Sequence, residues 1–187
     1  MLIAVTGTPG TGKSYFSREL AKSLAGAKLI EINDVVKEHR LYSGIGRDNA
    51  MIVKTRQLEK KLEADIAKSR GVVVLAGHLA ADLKLRYDIC VVTRSSLSRL
   101  VRVFKKRRYG AEKARENLLA EALDYCGIVG FRRSKETYEV ETAQDKRKVI
   151  AYIKKRAAGK KTQPPAMRRI NAMPELLRMI KAGSIRP

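Results

Sequence analysis

The 187-residue chain has only two cysteines and no apolar run long enough to span a membrane. Cys90 lies in an apolar segment and Cys126 near the end of a predicted helix, without the paired spacing of a zinc site. We therefore expect both cysteines to be core residues in a reducing compartment. The first residues form an apolar strand rather than a signal peptide, so we expect a cytoplasmic protein with no membrane partner.

Acidic residues are also few in this sequence. Asp and Glu number 19 against 40 Lys and Arg, which gives a formal net charge of +21. Residues 94–187 hold 25 of the basic side chains and 9 of the acidic ones. A thermophilic composition raises both signs of charge together, whereas only one is raised here. We therefore expect non-specific RNA contact, or a ribonucleoprotein partner, through the basic C-terminal half, with an affinity that falls as salt is added.

The most specific motif is GTPGTGKS at residues 7–14, which lies between an apolar strand at 1–6 and an amphipathic helix. It fills every position of the phosphate-binding loop G-x-x-x-x-G-K-[ST]. Its glycines let backbone N–H groups converge on a polyphosphate, its lysine adds a full charge, and its serine can ligate Mg²⁺. We predict that ATP is bound by Gly10, Gly12, Lys13, Ser14 and Tyr15, with Ser14 as the metal ligand.

The rest of the chain alternates apolar runs with helical patterns. We predict strands at 1–6, 27–32, 71–75, 87–92 and 137–140, and helices at 13–25, 35–40, 50–69, 95–108, 111–125 and 144–156. The run GVVVL at 71–75 is continuously apolar, which is typical of a parallel strand buried on both faces. The fold class is therefore predicted to be α/β, a P-loop NTPase three-layer sandwich with a five-stranded parallel sheet.

Two insertions and a tail complete the predicted domain organisation. Residues 31–54, which include a glycine-containing loop at 41–46, form a flap that would hold an acceptor, and residues 106–117 form a short helical lid. Together they belong to a kinase domain at 1–156. Residues 157–187 form a basic tail with an extended linker and a short helix at 174–182. We expect removal of this tail to weaken RNA binding and to leave ATP turnover largely intact.

Three side chains are candidates for the chemistry of phosphoryl transfer. Lys13 and a lid arginine, Arg107 first and Arg108 next, would neutralise the γ-phosphoryl oxygens. The alternative for both arginines is a solvated basic face. His78 follows a predicted strand at its carboxyl end, where open α/β sheets bind ligands. It would orient an attacking water or contact the acceptor phosphate, unless it is only a polar residue at a strand end.

Three further carboxylates have an expected role, and only one of them is a candidate for the site. Asp34 is a candidate to contact metal-bound water or the acceptor, and the same residue would serve equally well as a plain helix cap. Glu121 and Asp124 are expected to face solvent or to pair with nearby basic side chains.

Residues 1–155 resemble the adenylate kinase isoenzyme six family of archaea and eukaryotes. The resemblance depends on the loop TGTPGTGKS, on Asn33-Asp34 with Leu41-Tyr42-x-Gly44, on His78, and on Arg107-x-Tyr109 followed by Lys113 and Asn117. Two positions depart from the family. Leu75-Ala76-Gly77 lacks the aspartate that eukaryotic members carry two residues before the histidine, and Arg108 stands where the family lid has glycine.

The resemblance implies transfer of the γ-phosphoryl group of Mg·ATP to AMP, or to other nucleoside monophosphates, with ATP hydrolysis as a second activity. It also implies a role in maturation of the small ribosomal subunit and a ribosomal protein as partner. The rival interpretation is an ATPase that drives ribosome or ribonucleoprotein assembly, with incidental kinase activity. A kinase of another small acceptor is a third interpretation.

Overall fold

The computed structural model describes residues 1–46 and 51–183. In chain order the elements are β1 (Leu2–Thr6), α1 (Lys13–Ser23), β2 (Lys28–Glu31), α2 (Ile32–Glu38), β3 (Tyr42–Ile45), β4 (Met51–Val53), α3 (Thr55–Ala67), β5 (Val73–Ala76), β6 (Tyr87–Thr93), α4 (Leu97–Lys106), α5 (Ala111–Ala122), α6 (Tyr125–Arg133), β7 (Ser134–Val140), α7 (Ala143–Ala157) and α8 (Met173–Lys181). A short 3₁₀ turn spans His78–Ala81, between β5 and β6.

The central sheet has five strands in the order β2-β5-β1-β6-β7, and every pairing in it is parallel. The predicted five-stranded parallel sheet is therefore confirmed. β1 lies in the middle, so its side chains are buried on both faces, and its carboxyl end points into the phosphate-binding loop. Because all five strands run the same way, their carboxyl ends meet at a single edge of the sheet.

Helices cover both faces of the sheet, which makes three layers. On one face α1 and α7 pack through apolar side chains that include Phe16, Leu20, Val149 and Ile153. On the other face α2, α3 and α6 contribute Ile32, Val36, Leu58, Leu62 and Cys126. Cys90 and Cys126 are both buried and unbridged, as predicted for core residues. In the part of the chain that the structure describes, no helix combines the length and apolar character needed to cross a membrane.

The flap differs from the prediction, because residues 42–45 form a strand and not a loop. β3 pairs antiparallel with β4, and the predicted helix at 50–69 begins only at Thr55. Ile52, which falls within the predicted helix, is instead an exposed strand residue. A short apolar run such as Met51–Val53 fits either structure by periodicity alone, and pairing with a neighbouring strand decides between them. Residues 47–50, which fall inside the predicted flap and helix, lie outside the described residues.

The structure contains a helix, α6, that was not predicted. The prediction had one helix at 111–125 and no further helix before the strand at 137–140. α5 ends at Ala122, and Asp124 then adopts the left-handed conformation, with φ of 56°. α6 contains two glycines, which lower the helix propensity of its sequence. Tight packing nevertheless requires at least one of them. A Cβ at Gly130 would lie 3.0 Å from Cys90 Sγ, so glycine allows this helix to approach β6 closely.

The C-terminal tail packs on α4 and α5, the two helices that include the predicted lid at 106–117, and it does not extend away as a free arm. Leu176 of α8 packs with Leu97, Leu100, Phe104 and Leu118 of α4 and α5. The carboxylate of Glu175 accepts hydrogen bonds from the backbone N–H groups of Leu97 and Ser98, both at 2.9 Å, and so caps the first turn of α4. Removal of residues 157–187 would therefore expose the apolar face of α4 and α5, and its effect on ATP turnover stays a prediction.

Leu176 provides a direct test of this docking. We expect Leu176→Ala to lower the free energy of unfolding by about 2–5 kcal/mol, because the leucine is buried and the substitution leaves a cavity. Leu177 is its neighbour on the same helix and is 52% exposed, so Leu177→Ala should change stability by less than about 0.5 kcal/mol. Chemical denaturation of both variants measures the difference. Equal stability would mean that α8 does not pack on the lid in solution.

Candidate active site

The phosphate-binding loop is held from beneath by threonines of the sheet. Thr93, the last residue of β6, donates from Oγ1 to the carbonyl of Thr6 at 3.2 Å, and its Oγ1 lies 2.7 Å from Oγ1 of Thr11. Thr11 also donates to the carbonyl of Thr8 at 2.8 Å. Gly7 has φ of 138°, and a Cβ there would lie 2.3 Å from the carbonyl oxygen of Thr93. Only glycine fits this position, so the close approach of loop and strand fixes the loop.

Lys13 starts α1 and its side chain turns back over the loop. Its Nζ donates to the carbonyls of Gly7 at 2.6 Å and Thr8 at 3.0 Å. The pKa of Lys13 is lowered to about 8, chiefly by burial and to a lesser extent by the charge of Arg107, while Cys126, Glu121 and Glu31 oppose the shift. The ammonium is therefore poorly solvated and well placed to gain from a bound polyphosphate.

This lowered pKa predicts how ATP binding depends on pH. The phosphates of ATP favour the charged ammonium, so the pKa of Lys13 must be higher in the complex than in the free protein. ATP affinity should therefore fall as pH rises above about 8, by at most about tenfold per pH unit, with proton uptake on binding. Calorimetry in two buffers of different ionisation enthalpy measures that uptake, with Lys22→Ala as the control. A flat affinity from about pH 7 to 9.5 would contradict the assignment.

The other predicted ATP-binding residues lie in the loop and in the first turn of α1. Gly10 and Gly12 both have φ of 95°, a conformation that turns successive N–H groups inward. Ser14 is exposed in the first turn of α1. The ring of Tyr15 is 68% exposed, with Lys146 Nζ at 5.9 Å from its centroid. Lys146, on α7, was not predicted as a site residue, because only the packing of α7 beside α1 brings it to the loop.

His78 follows β5 at the carboxyl edge of the sheet, as predicted. Its side chain is exposed, while its backbone carbonyl accepts a hydrogen bond from Thr6 Oγ1 at 3.3 Å. Desolvation lowers the pKa of His78, the charge of Lys13 lowers it further, and Asp82 opposes the shift. The lowered pKa favours the neutral imidazole, and the charge of Lys13 acts on it. Gly77 is needed here, since a Cβ would lie 2.9 Å from Cβ of Ile32.

Arg107 and Arg108 follow α4, and the two residues differ in backbone conformation. Both side chains are exposed, and the charge of Arg107 is one of the influences that lower the pKa of Lys13. Arg108 has φ of 55°, in the left-handed region that favours glycine. A glycine would adopt this conformation without strain. The contact of Arg107, or of Arg108, with the nucleotide stays a prediction.

Carboxylates at the site are arranged differently from the prediction. Asp34 is exposed in the first turn of α2, which begins at Ile32, so it is not the cap of that helix. Glu31, at the carboxyl end of β2, is half-buried and lies 3.5 Å from the hydroxyl of Ser17. Desolvation raises the pKa of Glu31, while Arg18 lowers it. No group of three or more acidic, histidine or cysteine side chains forms a metal site within residues 1–46 and 51–183.

The donor atoms beside the loop fit Mg²⁺ bound together with a nucleotide. Ser14 offers a hydroxyl and Glu31 a carboxylate, and Mg²⁺ prefers oxygen ligands. A few protein oxygens suffice for this ion, because it keeps several waters and takes further oxygens from phosphates. The site therefore suits Mg²⁺ that arrives with ATP, and not a permanently bound metal.

A buried ion cluster lies behind the site; the predicted pairing of Glu121 and Asp124 with basic side chains is confirmed, whereas the central role of Arg94 was not predicted. Arg94, which follows β6, is 2% exposed and donates from Nε to Glu121 at 2.9 Å and from Nη1 to Glu139 at 2.9 Å. It also bonds to Asp124, which Arg169 of the tail contacts at 2.8 Å. Glu121 is 2% exposed, so it pairs with a basic side chain and does not face solvent. Arg169 thus forms an ion pair with Asp124 and is not part of a free basic arm.

Comparisons with known proteins agree with this architecture. The family described as AAA domain matches residues 3–124. A Methanosarcina mazei protein named "Putative adenylate kinase" is 33% identical over 187 aligned residues, covering 87% of this chain and 92% of that protein. The protein of the same name from Methanocaldococcus jannaschii is 34% identical over 144 residues, covering 76% of this chain and 77% of its own.

Among solved structures, shikimate kinase from Acinetobacter baumannii superposes with a TM-score of 0.55 at 16% identity, covering 87% of this chain and 95% of that one. Shikimate kinase from Bacteroides thetaiotaomicron gives a TM-score of 0.54 at 14% identity, covering 84% and 98%. At such low identity the two structures show a common P-loop kinase fold and nothing about the acceptor.

Proposed function

The chain belongs to the adenylate-kinase-like family of P-loop kinases, and from that premise we propose that it transfers the γ-phosphoryl group of Mg·ATP to AMP, forming two ADP. We also propose that other nucleoside monophosphates serve less selectively as acceptors, that ATP hydrolysis is a side activity, and that the protein works in the cytoplasm. The observation that carries the proposal is the flap. α2, β3, β4 and α3 are inserted between β2 and β5, beside the phosphate-binding loop. A simple ATPase has no need of such an acceptor site.

The residues at the site suit transfer between two phosphates. The attacking oxygen of a nucleoside monophosphate is already ionised at neutral pH, so no general base is required. As it bonds to the γ-phosphorus, the bond from that phosphorus to the β,γ-bridging oxygen breaks, and charge spreads over the γ-oxygens. Lys13 and Arg107 neutralise that charge. Neutral His78 hydrogen-bonds to the acceptor phosphate, or to a water when no acceptor is present.

The exposed apolar side chains of the flap support an acceptor with a planar base. Ile45 on β3 is 66% exposed and Ile52 on β4 is 56% exposed, and the strand register places them on opposite faces of the hairpin. A nucleobase lying against either face would gain apolar contact from one isoleucine. Such contacts discriminate weakly between bases, which agrees with broad acceptor specificity.

The test of the proposal is product analysis with a panel of acceptors. ADP and inorganic phosphate are measured separately, from Mg·ATP alone and with AMP, GMP, CMP or UMP. The proposal predicts that AMP raises ADP well above phosphate and that the other monophosphates do so less strongly. Equal amounts of ADP and phosphate, unchanged by any monophosphate, would refute the kinase and leave hydrolysis as the activity.

A second candidate function is favoured by the charge of the C-terminal half. Exposed basic side chains follow α4 and α7 and continue into the tail, among them Arg99, Arg102, Lys154, Lys155 and Lys160. We propose on this basis that the protein contacts RNA and assists maturation of the small ribosomal subunit, where a ribosomal protein would be its partner. In the extreme form of this alternative, ATP hydrolysis drives an assembly step and kinase activity is incidental.

Two exposed lysines of the linker test the RNA contact without disturbing the lid. Lys160→Glu with Lys161→Glu should weaken RNA binding and reduce the slope of log affinity against log salt by about 0.7 for each RNA phosphate that is no longer neutralised. ATP turnover should not change, because neither lysine belongs to the apolar cluster that joins α4, α5 and α8. An unchanged salt slope would remove the linker from the RNA surface.

A further inference from the structure

Glu31 lies at the carboxyl end of β2, on the face of the sheet that carries the phosphate-binding loop and α1. It ends β2 and is the register partner of Ala76, which ends β5. Register partners on neighbouring parallel strands project to the same face of a sheet. Ala76 packs with Phe16 and Leu20 of α1, so this face is the one that carries the loop and α1. The carboxylate of Glu31 therefore lies one strand over from the alanine, on the side where the phosphates of ATP would bind.

The contacts of Glu31 link it to the residue that follows Lys13. The hydroxyl of Ser17 is 3.5 Å from Glu31 Oε1 and donates to the backbone carbonyl of Ser14 at 3.3 Å. Ser17 is fully buried, so this connection is fixed by packing. Glu31 and Lys13 each feel the charge of the other. The Ser17 contact thus brings the Glu31 carboxylate to the first turn of α1, where Lys13 and Ser14 lie.

The other carboxylates near the site are less suited to meet a cation in this region. Asp34 is exposed on the surface of α2. Asp82 accepts a hydrogen bond from the hydroxyl of Tyr125, and its charge acts on His78. At position 76, where a carboxylate would point at the same region, the chain has alanine.

We propose that Glu31 is the protein carboxylate that holds the hydration shell of the Mg²⁺ ion of Mg·ATP, with Ser14 as the neighbouring ligand. The inference depends on the proposed function only in that ATP must bind at this loop. It explains why an alanine is tolerated at position 76: the negative charge is supplied from the adjacent strand, on the same face of the sheet.

The test measures metal-dependent binding and not turnover. ATP affinity is determined by calorimetry with saturating Mg²⁺ and again with excess EDTA, and the ratio of the two gives the enhancement by metal. In Glu31→Gln this ratio should fall about 10- to 100-fold. ATP affinity in EDTA should stay the same or rise, since a negative charge near the phosphates is removed. Glu31→Asp, which keeps the charge at a shorter reach, should give an intermediate ratio.

Two controls separate this role from simpler ones. Glu38→Gln should keep the wild-type ratio within about twofold, because Glu38 is an exposed carboxylate at the far end of α2. Arg18→Gln removes a cation near Glu31 and should likewise keep the ratio, whereas a loss there equal to that of Glu31→Gln would reduce Glu31 to an ion-pair partner. A wild-type ratio in folded Glu31→Gln would overturn the proposal. Failure of the wild-type protein to bind ATP under either condition would instead refute the proposed function.

Discussion

Replacement of Lys13 by alanine is expected to lower the rate of ADP formation about 10²–10³-fold, both with AMP and without it. Transfer and hydrolysis share a transition state in which charge spreads over the γ-oxygens, and Lys13 lies over the loop that would bind these phosphates. Because the ammonium is poorly solvated in the free protein, its attraction to the phosphates is not offset by strong hydration. Both activities should therefore fall together.

The variant should remain folded, which makes the result interpretable. The pKa of Lys13 is lowered in the folded protein, so the charged form is less favourable there than in the unfolded chain, and its removal relieves this cost at neutral pH. The control is Lys22→Ala, an exposed lysine at the other end of α1, which should keep wild-type rates. Rates are measured under saturating ATP, and thermal unfolding confirms the fold. Hydrolysis retained in Lys13→Ala would mean that the loop is not the active site.

Replacement of Arg94 by methionine should give a large loss of stability, about 3–5 kcal/mol in the free energy of unfolding at neutral pH. Methionine fills a similar apolar volume but leaves Glu121, Glu139 and Asp124 without their shared cation. A loss of this size is a large fraction of the roughly 5–15 kcal/mol that stabilises a typical domain. The effect should extend to the lid and tail, because the cluster joins α5, β7 and Arg169.

The pH dependence of this loss tests its electrostatic cause. Burial already raises the pKa of Glu139 and the charge of Arg94 opposes that rise, so without Arg94 the pKa of Glu139 should rise further and its charged form should cost more stability. The deficit of Arg94→Met relative to wild type should therefore shrink as pH falls from about 7 to 5. Arg99→Met removes an exposed arginine nearby and should change stability by less than about 0.5 kcal/mol at either pH. Equal, pH-independent losses in both variants would argue against a charge cluster.

Local chemistry explains which parts of the fold and site could be predicted from sequence. The phosphate-binding loop needs glycines, lysine and serine at fixed spacing, so Gly12, Lys13 and Ser14 were recognisable as a contiguous motif. The central strands are apolar for their whole length, and a parallel sheet follows from that pattern. His78 was predictable because it comes directly after such a strand. The tail helix was found within one residue of its start because Pro174 and Gly183 mark its ends.

What could not be predicted depends on residues that are distant in sequence. The role proposed for Glu31 depends on its pairing with Ala76 on a neighbouring strand. The role of Arg94 depends on its ion pairs with Glu121 and Glu139. The helix α6 carries two glycines that local propensity counts against it, and packing on β6 outweighs that preference. For the β3–β4 hairpin, the apolar run at 51–53 was too short to distinguish strand from helix. In each case tertiary contact decided the structure.

The central claim is that this cleft transfers a phosphoryl group between nucleotides, and the most direct measurement follows the transferred group itself. ATP carrying a radioactive γ-phosphate is incubated with unlabelled AMP, Mg²⁺ and the protein, and the products are separated. The account predicts that label moves into ADP at a rate that rises with AMP and is lost in Lys13→Ala. Label recovered only as inorganic phosphate, at a rate indifferent to AMP, would contradict it.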